Sequence, residues 1–169
     1  MKRLLVLALT ACALPAWGAD VTVGVGVAAK SDDSTIYVPI DFGDRFRLEP
    51  LLRHSKSKLD IGPSDAKYEA VRLGLGAFGM TALAESVRIY YGGRLSYLDV
   101  DSENPGYTYP DLREHGHGYR IAPTFGFEYM FNKYLSLGGE AEWFYEDLDL
   151  GINERNSGTD TRLILRLRF

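Results

Sequence analysis

The last nine residues, Thr161-Arg162-Leu163-Ile164-Leu165-Arg166-Leu167-Arg168-Phe169, alternate between two kinds of side chain. Thr161, Leu163, Leu165, Leu167 and Phe169 share one face of an extended chain. Arg162, Ile164, Arg166 and Arg168, preceded by Asp160, share the other. Successive side chains of a β-strand point to opposite sides, so this period of two predicts a strand with one apolar and one charged face. Such a strand suits a wall with an apolar medium on one side and a polar space on the other.

The same rhythm divides residues 20–169 into eight segments. In the first, Val21, Val23, Val25 and Val27 alternate with Thr22, Gly24, Gly26 and Ala28. After a polar link over 30–34, Ile36, Val38, Ile40 and Phe42 alternate with Tyr37, Pro39 and Asp41. Gly43-Asp44 reads as a tight turn, beyond which Phe46, Leu48, Pro50 and Leu52 oppose Arg45, Arg47, Glu49 and Arg53. Residues 54–65 are polar and contain Gly62 and Pro63, so a loop is expected there. Val71, Leu73, Leu75 and Ala77 then oppose Tyr68, Arg72, Gly74, Gly76 and Phe78. A turn over 79–85 leads to Val87, Ile89, Tyr91, Leu95 and Tyr97, opposite Arg88, Tyr90, Gly92, Arg94 and Ser96. The longest loop is expected over 99–118. Tyr119, Ile121, Pro123, Phe125, Phe127, Tyr129 and Phe131 next face away from Arg120, Thr124, Gly126 and Glu128. Past Asn132-Lys133, Leu135, Leu137, Ala141, Trp143 and Tyr145 oppose Ser136, Gly138, Glu140, Glu142 and Glu146, and a last loop over 147–158 precedes the final segment. Tight turns and longer polar links thus alternate, as they do when a closed antiparallel sheet gathers its loops at one end.

The N-terminus carries an export pattern. Met1-Lys2-Arg3 is a positive start, Leu4 to Leu14 is an apolar run too short to span a membrane, and Pro15 to Ala19 offers small residues for cleavage. Residues 1–19 are therefore expected to be a signal peptide and 20–169 one barrel domain. Leu9-Thr10-Ala11-Cys12 loosely fits a lipoprotein box, but cleavage there would leave an unusually short signal. Cys12 is the single cysteine, so the mature chain is expected to contain no disulfide or thiol nucleophile. Downstream of the signal no run is long and apolar enough for a transmembrane helix, and a membrane reading rests on alternation instead. The formal net charge of −4 gives no nucleic-acid footprint.

Alternation alone does not say which face is inside. An eight-stranded barrel has an interior just wide enough for side chains to fill, and the apolar face carries far too many Phe, Tyr, Leu and Ile residues to fit there. The charged face is rich in glycine, which only weakens a solvated strand but makes room in a narrow bore. Polar inside and apolar outside is the consistent assignment. Phe42, Phe46, Phe127, Tyr129, Phe131 and Phe169 then fall toward the turn end and Tyr97, Tyr119, Trp143 and Tyr145 toward the loop end, as two interfacial belts would.

Taken together, the signal, the eight-strand rhythm, the Arg/Glu interior and the terminal Phe169 resemble the small OmpA/OmpX-type barrels of Gram-negative outer membranes. The resemblance implies an all-β, eight-stranded antiparallel up-and-down transmembrane barrel with no periplasmic domain after it. It also implies contact with outer-membrane lipid and lipopolysaccharide, periplasmic chaperones during transit, and an assembly machinery that reads the last strand through Phe169.

The interior is expected to hold Arg45, Arg47, Arg53, Arg72, Arg88, Arg94, Arg120, Arg162, Arg166 and Arg168 with Asp41, Glu49, Glu128, Glu140, Glu142, Glu146 and Asp160. Buried charges must be paired or solvated, so a structural ion-pair network is the reading adopted, with a small ion or solute conduit as its alternative. Glu140 and Glu142 lie two apart on one face, an arrangement that raises paired acid/base carboxylates, but the surrounding arginines argue for ionised, paired groups. His115 and His117, beside Glu114, have the spacing of metal ligands on an extended chain, though a solvated loop explains them as simply. His54 and Ser55 raise a lipid-modifying hydrolase, which needs Ser, His and an acid to converge, whereas adjacent strand residues diverge. No catalytic residue, cofactor or metal is expected, and the function expected is an envelope-structural or surface-interaction role through the outer loops.

Overall fold

Residues Gly24 to Val27 pair antiparallel with Leu165 to Arg168, and this seam between the two ends of the chain closes the sheet. The computed structural model describes residues 20–30, 33–61, 64–104, 112–149 and 153–169. The expected signal segment with Cys12, and Tyr107 and Tyr109 of the expected long loop, lie outside them. The described strands are β1 (Val21–Lys30), β2 (Asp33–Tyr37), β3 (Ile40–Phe42), β4 (Phe46–Ile61), β5 (Ser64–Ala84), β6 (Val87–Asn104), β7 (Leu112–Met130), β8 (Leu135–Asp149) and β9 (Asn153–Arg168). Each pairs antiparallel with its neighbours, and β1 joins β9. The result is a closed eight-stranded transmembrane barrel.

Nine strands make eight staves because β2 and β3 are one stave interrupted at Val38-Pro39. Both segments pair with β1 and β4 in a single register. Pro39 has no N–H to donate, so the ladder breaks there while the path continues. Gly24 N donates to Pro39 O and Val38 N to Pro50 O, each at 2.9 Å.

Three segments expected as loops are largely ladder. The β4–β5 hairpin stays paired out to Ile61 and Ser64, β6–β7 to Asn104 and Leu112, and β8–β9 to Asp149 and Asn153. Likewise β5 continues to Ala84, through an irregularity between Ala82 and Ala84, before its turn. A membrane crossing needs about 9–11 residues of tilted strand, and β4 to β9 run 15 to 21 residues. The excess lies at the loop end. Water bathes the outer face there, so apolar alternation fades while backbone pairing persists. At the other end the turns are tight. Gly43 adopts φ +59°, a left-handed conformation that costs glycine no Cβ clash, and Asn132 Oδ1 accepts from Tyr134 N and Leu135 N at 2.8 and 2.9 Å.

Outward side chains form a continuous apolar wall that includes Val25, Val27, Leu73, Leu75, Tyr91, Leu95, Ile121, Phe125, Leu163 and Leu165, all well exposed. Soluble monomers rarely expose a contiguous apolar patch of more than a few hundred Å², whereas a bilayer core solvates one. Aromatic contacts bracket the wall: Phe42 with Phe46 (5.9 Å) and Tyr129 with Phe131 (5.2 Å) toward the turns, and Tyr97 with Tyr119 (5.5 Å) toward the loops.

Leu165 lies outward, 49% exposed. Leu165→Arg is expected to destabilise the barrel by about 2–4 kcal/mol near midplane, read from folding titrations in lipid vesicles. Leu165→Ile should leave the midpoint unchanged.

Candidate functional site

The bore is filled by charges in three successive layers. Nearest the turns, Arg47 and Arg168 share the same two carboxylates. Arg47 Nε lies 2.5 Å from Asp41 Oδ1 and its Nη2 3.0 Å from Glu128 Oε2. Arg168 Nε lies 3.1 Å from Asp41 Oδ2 and its Nη2 2.6 Å from Glu128 Oε1. Ser136 Oγ donates to Glu128 Oε1 at 2.5 Å and accepts from Arg168 Nη1 at 2.8 Å.

The middle layer links four staves. Arg94 donates to Glu49 Oε1 at 2.6 Å and to both oxygens of Glu140 at 2.5 and 2.8 Å. Arg166 Nε donates to Glu49 Oε2 at 3.0 Å. Tyr90 Oη donates to Glu140 Oε2 at 3.0 Å while its ring sits under the guanidinium groups of Arg47 and Arg166, at 5.5 and 5.2 Å. The Arg94 guanidinium lies over the rings of Tyr37 (5.2 Å) and Phe78 (4.9 Å).

Toward the loops, Glu142 binds Arg120 and Arg162, and Arg162 also reaches Asp160 at 3.0 Å. Arg72 donates to Glu146 at 3.2 Å, and Arg53 pairs with Asp33 and with Asp160. Arg120 packs on the Phe144 ring at 3.7 Å. Among the described residues, eight arginines (Arg47, Arg53, Arg72, Arg94, Arg120, Arg162, Arg166 and Arg168) thus meet eight carboxylates (Asp33, Asp41, Glu49, Glu128, Glu140, Glu142, Glu146 and Asp160). The numbers match, so the bore carries these charges without a net excess.

Two arginines expected inside lie outside this network. Arg45 belongs to the turn after Gly43 and is exposed, because the chain leaves the sheet before that position and strand parity no longer aims its side chain. Arg88 sits at the rim and pairs with the exposed Asp44 at 2.6 Å. Conversely, Asp33 and the inward Phe144 are parts of the network that alternation alone left unassigned, whereas Tyr37 is buried on the face expected of it. Leu98, Val100 and Leu148 also point inward and pack together near the loop end, within segments where a loop or its edge was expected. Gly116 and Gly118 on the strand between them are both buried, and this inward glycine pair was the available signal.

Inward glycines make room for arginine, as at Gly26 and Gly138 beside Arg166, and for aromatic rings. A Cβ at Gly126 would collide with the Tyr90 ring, and one at Gly76 would lie 2.5 Å from Phe78 Cε2.

The other motifs resolve differently. His54 points outward and bonds Glu69 at 2.8 Å, while Ser55 lies on the opposite face of the strand. The bond from His54 and the Lys56 ammonium hold the exposed Glu69 carboxyl below the usual carboxylate range. His115 pairs with Asp101 and His117 stacks against Tyr97 at 6.5 Å. Among the described residues no three such side chains converge as a metal site would require. Glu140 and Glu142 have their oxygens engaged by arginines.

No protein-family model matches the chain, and no curated protein matches it by sequence. Solved structures do. Neisserial surface protein A (NspA) superposes with a TM-score of 0.58 at 16% identity, covering 88% of this chain and 94% of that one. Ail, the attachment invasion locus protein of Yersinia pestis, in complex with the heparin analogue sucrose octasulfate, gives 0.56 at 11%, with 88% and 95% covered. A major outer membrane protein from Thermus thermophilus gives 0.56 at 14%, with 88% and 99% covered. The chain therefore has the fold of the small outer-membrane barrels.

Glu140 accepts from Arg94 and Tyr90 in the driest part of the bore. Glu140→Ala is expected to cost about 3–5 kcal/mol, the penalty for stranding a buried partner, read as a shifted urea midpoint in detergent or lipid. Gly126→Ala should cost about 1–3 kcal/mol through displacement of Tyr90. In a Tyr90→Ala background the same change should be nearly neutral, and the double-mutant cycle measures the difference.

Proposed function

We propose, from the fold shared with the small outer-membrane barrels, that this chain is an integral outer-membrane protein without catalytic activity, acting in envelope structure or surface interaction through its outer hairpins. The observation that carries this reading is the division of polar groups. The bore buries its ion pairs away from any ligand, whereas the wall above the Tyr97/Tyr119 level carries its ion pairs on exposed faces open to water. On them lie His54, Lys56 and Glu69 on β4–β5, and Asp101, His115, Asp147 and Arg155 on β6–β9.

In this orientation that band meets the sugar and phosphate region of the outer leaflet, so lipopolysaccharide is its nearest partner. A sulfated glycan is a further ligand class to test, since Ail was solved with a sulfated sugar. Phe169 suits a role as assembly signal: its N donates to Val23 O at 2.8 Å and its side chain is 80% exposed on the apolar wall. Periplasmic chaperones and the assembly machinery would read this strand before closure. A filled bore supports a structural role over a conduit.

The topology is tested by single cysteines at Asp101, beyond the outer aromatic belt, and at Glu85, in a tight turn. A membrane-impermeant maleimide should label Asp101→Cys on intact cells and Glu85→Cys only after the outer membrane is opened. The reverse pattern would invert the orientation, and steady single-channel conductance from purified protein would replace the structural role with a conduit.

A further inference from the structure

His115 and His117 stand on β7 rather than in a loop. Two residues apart on an extended strand, both project from the outer face of the wall above Tyr97 and Tyr119. Across the ladder on β6, Asp101 is the direct partner of His115 and Asp99 that of His117. On β8, Asp149 is the direct partner of His117 and Asp147 that of Tyr119. A His-x-His pair is thus framed in register by two Asp-x-Asp pairs. Direct partners share a face with Cβ atoms about 4.5–5.5 Å apart, so imidazole and carboxylate groups from three strands project side by side.

The platform is stiffened from behind. Leu98, Val100 and Leu148 pack together on its inner face, with Gly118 between Leu98 and Leu148 in the ladder and Gly116 beside Val100. A Cβ at Gly118 would lie 2.7 Å from Leu148 Cδ2, so the bare backbone of β7 is what lets side chains of β6 and β8 meet across it. Ligands carried by packed strands are held in place more tightly than ligands on a loop.

We propose that this face is a binding site for one divalent transition-metal ion of the zinc, copper and nickel class, ligated by His115 and His117 with Asp99 as the carboxylate. Imidazole suits these metals, whereas a hard ion such as Ca²⁺ takes about six to eight oxygen ligands. Asp101 pairs with Nδ1 of His115. That leaves Nε2 to bind the metal and makes Asp101 the positioning residue that orients the ring. The two rings hold separate partners in the structure, since His117 rests against Tyr97 at 6.5 Å. The His115 side chain is 77% exposed and His117 is exposed as well, so both turn toward a shared ion without moving the backbone. Asp147 and Asp149 add a field that draws cations to the platform.

The test is calorimetric titration of Zn²⁺ into the tag-free protein folded in lipid vesicles, with frozen-solution EPR of Cu²⁺ at the same site. One Zn²⁺ per barrel and a Cu²⁺ spectrum showing coupling to two nitrogens are expected. His115→Asn, His117→Asn and Asp99→Asn should each lower Zn²⁺ affinity about 10-fold or more, while His54→Asn on β4 binds as the wild type does. Asp101→Asn should weaken Zn²⁺ by a similar factor yet keep the two-nitrogen spectrum, as a positioning residue must. Heat-modifiable migration on gels checks that each variant is folded. No saturable Zn²⁺ binding, affinity unchanged in any of the three ligand variants, or displacement of Zn²⁺ by an equal concentration of Ca²⁺ would overturn the site. Unchanged affinity in Asp101→Asn would overturn its positioning role.

Discussion

Closure of β1 on β9 is the constraint from which the other features follow. In an apolar medium every backbone N–H and C=O must find a partner within the protein, and a sheet meets that demand only by abolishing its edges. Once Gly24 to Val27 pair with Leu165 to Arg168, alternation sends one half of the side chains into lipid and the other half into a bore eight strands around. A charge on any inward position then has nowhere to go but toward another stave.

That confinement explains the form of the network. Ion pairs buried in a protein often add little over well-packed apolar groups, because desolvation offsets their attraction. Here they also fix register. A slip of one residue on any stave would turn its arginines into the hydrocarbon and its leucines into the bore, and each arginine of the middle layer bonds residues from distant parts of the chain. Aromatic rings complete the fill. Tyr37, Phe78 and Tyr90 separate and cover guanidinium groups whose charges could not otherwise be packed so closely, and Gly76 and Gly126 leave the space those rings occupy.

The outer hairpins obey a different rule. Past the aromatic belt the outer face of the wall meets polar surroundings, so backbone pairing continues without an outward apolar pattern to announce it. Residues 54–61, 64–65, 99–104, 112–118, 147–149 and 153–158 look like loops by composition and are ladder in the fold. Beyond the small cluster of Leu98, Val100 and Leu148, this region is held by backbone hydrogen bonds and surface pairs such as His115 with Asp101. It is the part of the molecule most open to a partner.

Strand geometry is local, and so the sequence by itself determined the class of fold, the faces of all eight staves and the inward position of most of the charged residues. Leu163, Leu165 and Leu167 against Arg162, Arg166 and Arg168 needed no distant information. What only the tertiary structure decided is which charges meet. Arg94 finds Glu49 and Glu140, and Arg47 finds Glu128, through the stagger at which the barrel closes, a property of all its strands together. The same nonlocal geometry leaves Arg45 in a turn, Arg88 at the rim, and Leu98, Val100 and Leu148 packed inside the bore. Alternation assigns a side chain to a face. Its neighbours across the bore depend on how far the sheet has shifted by the time it returns to its own first strand.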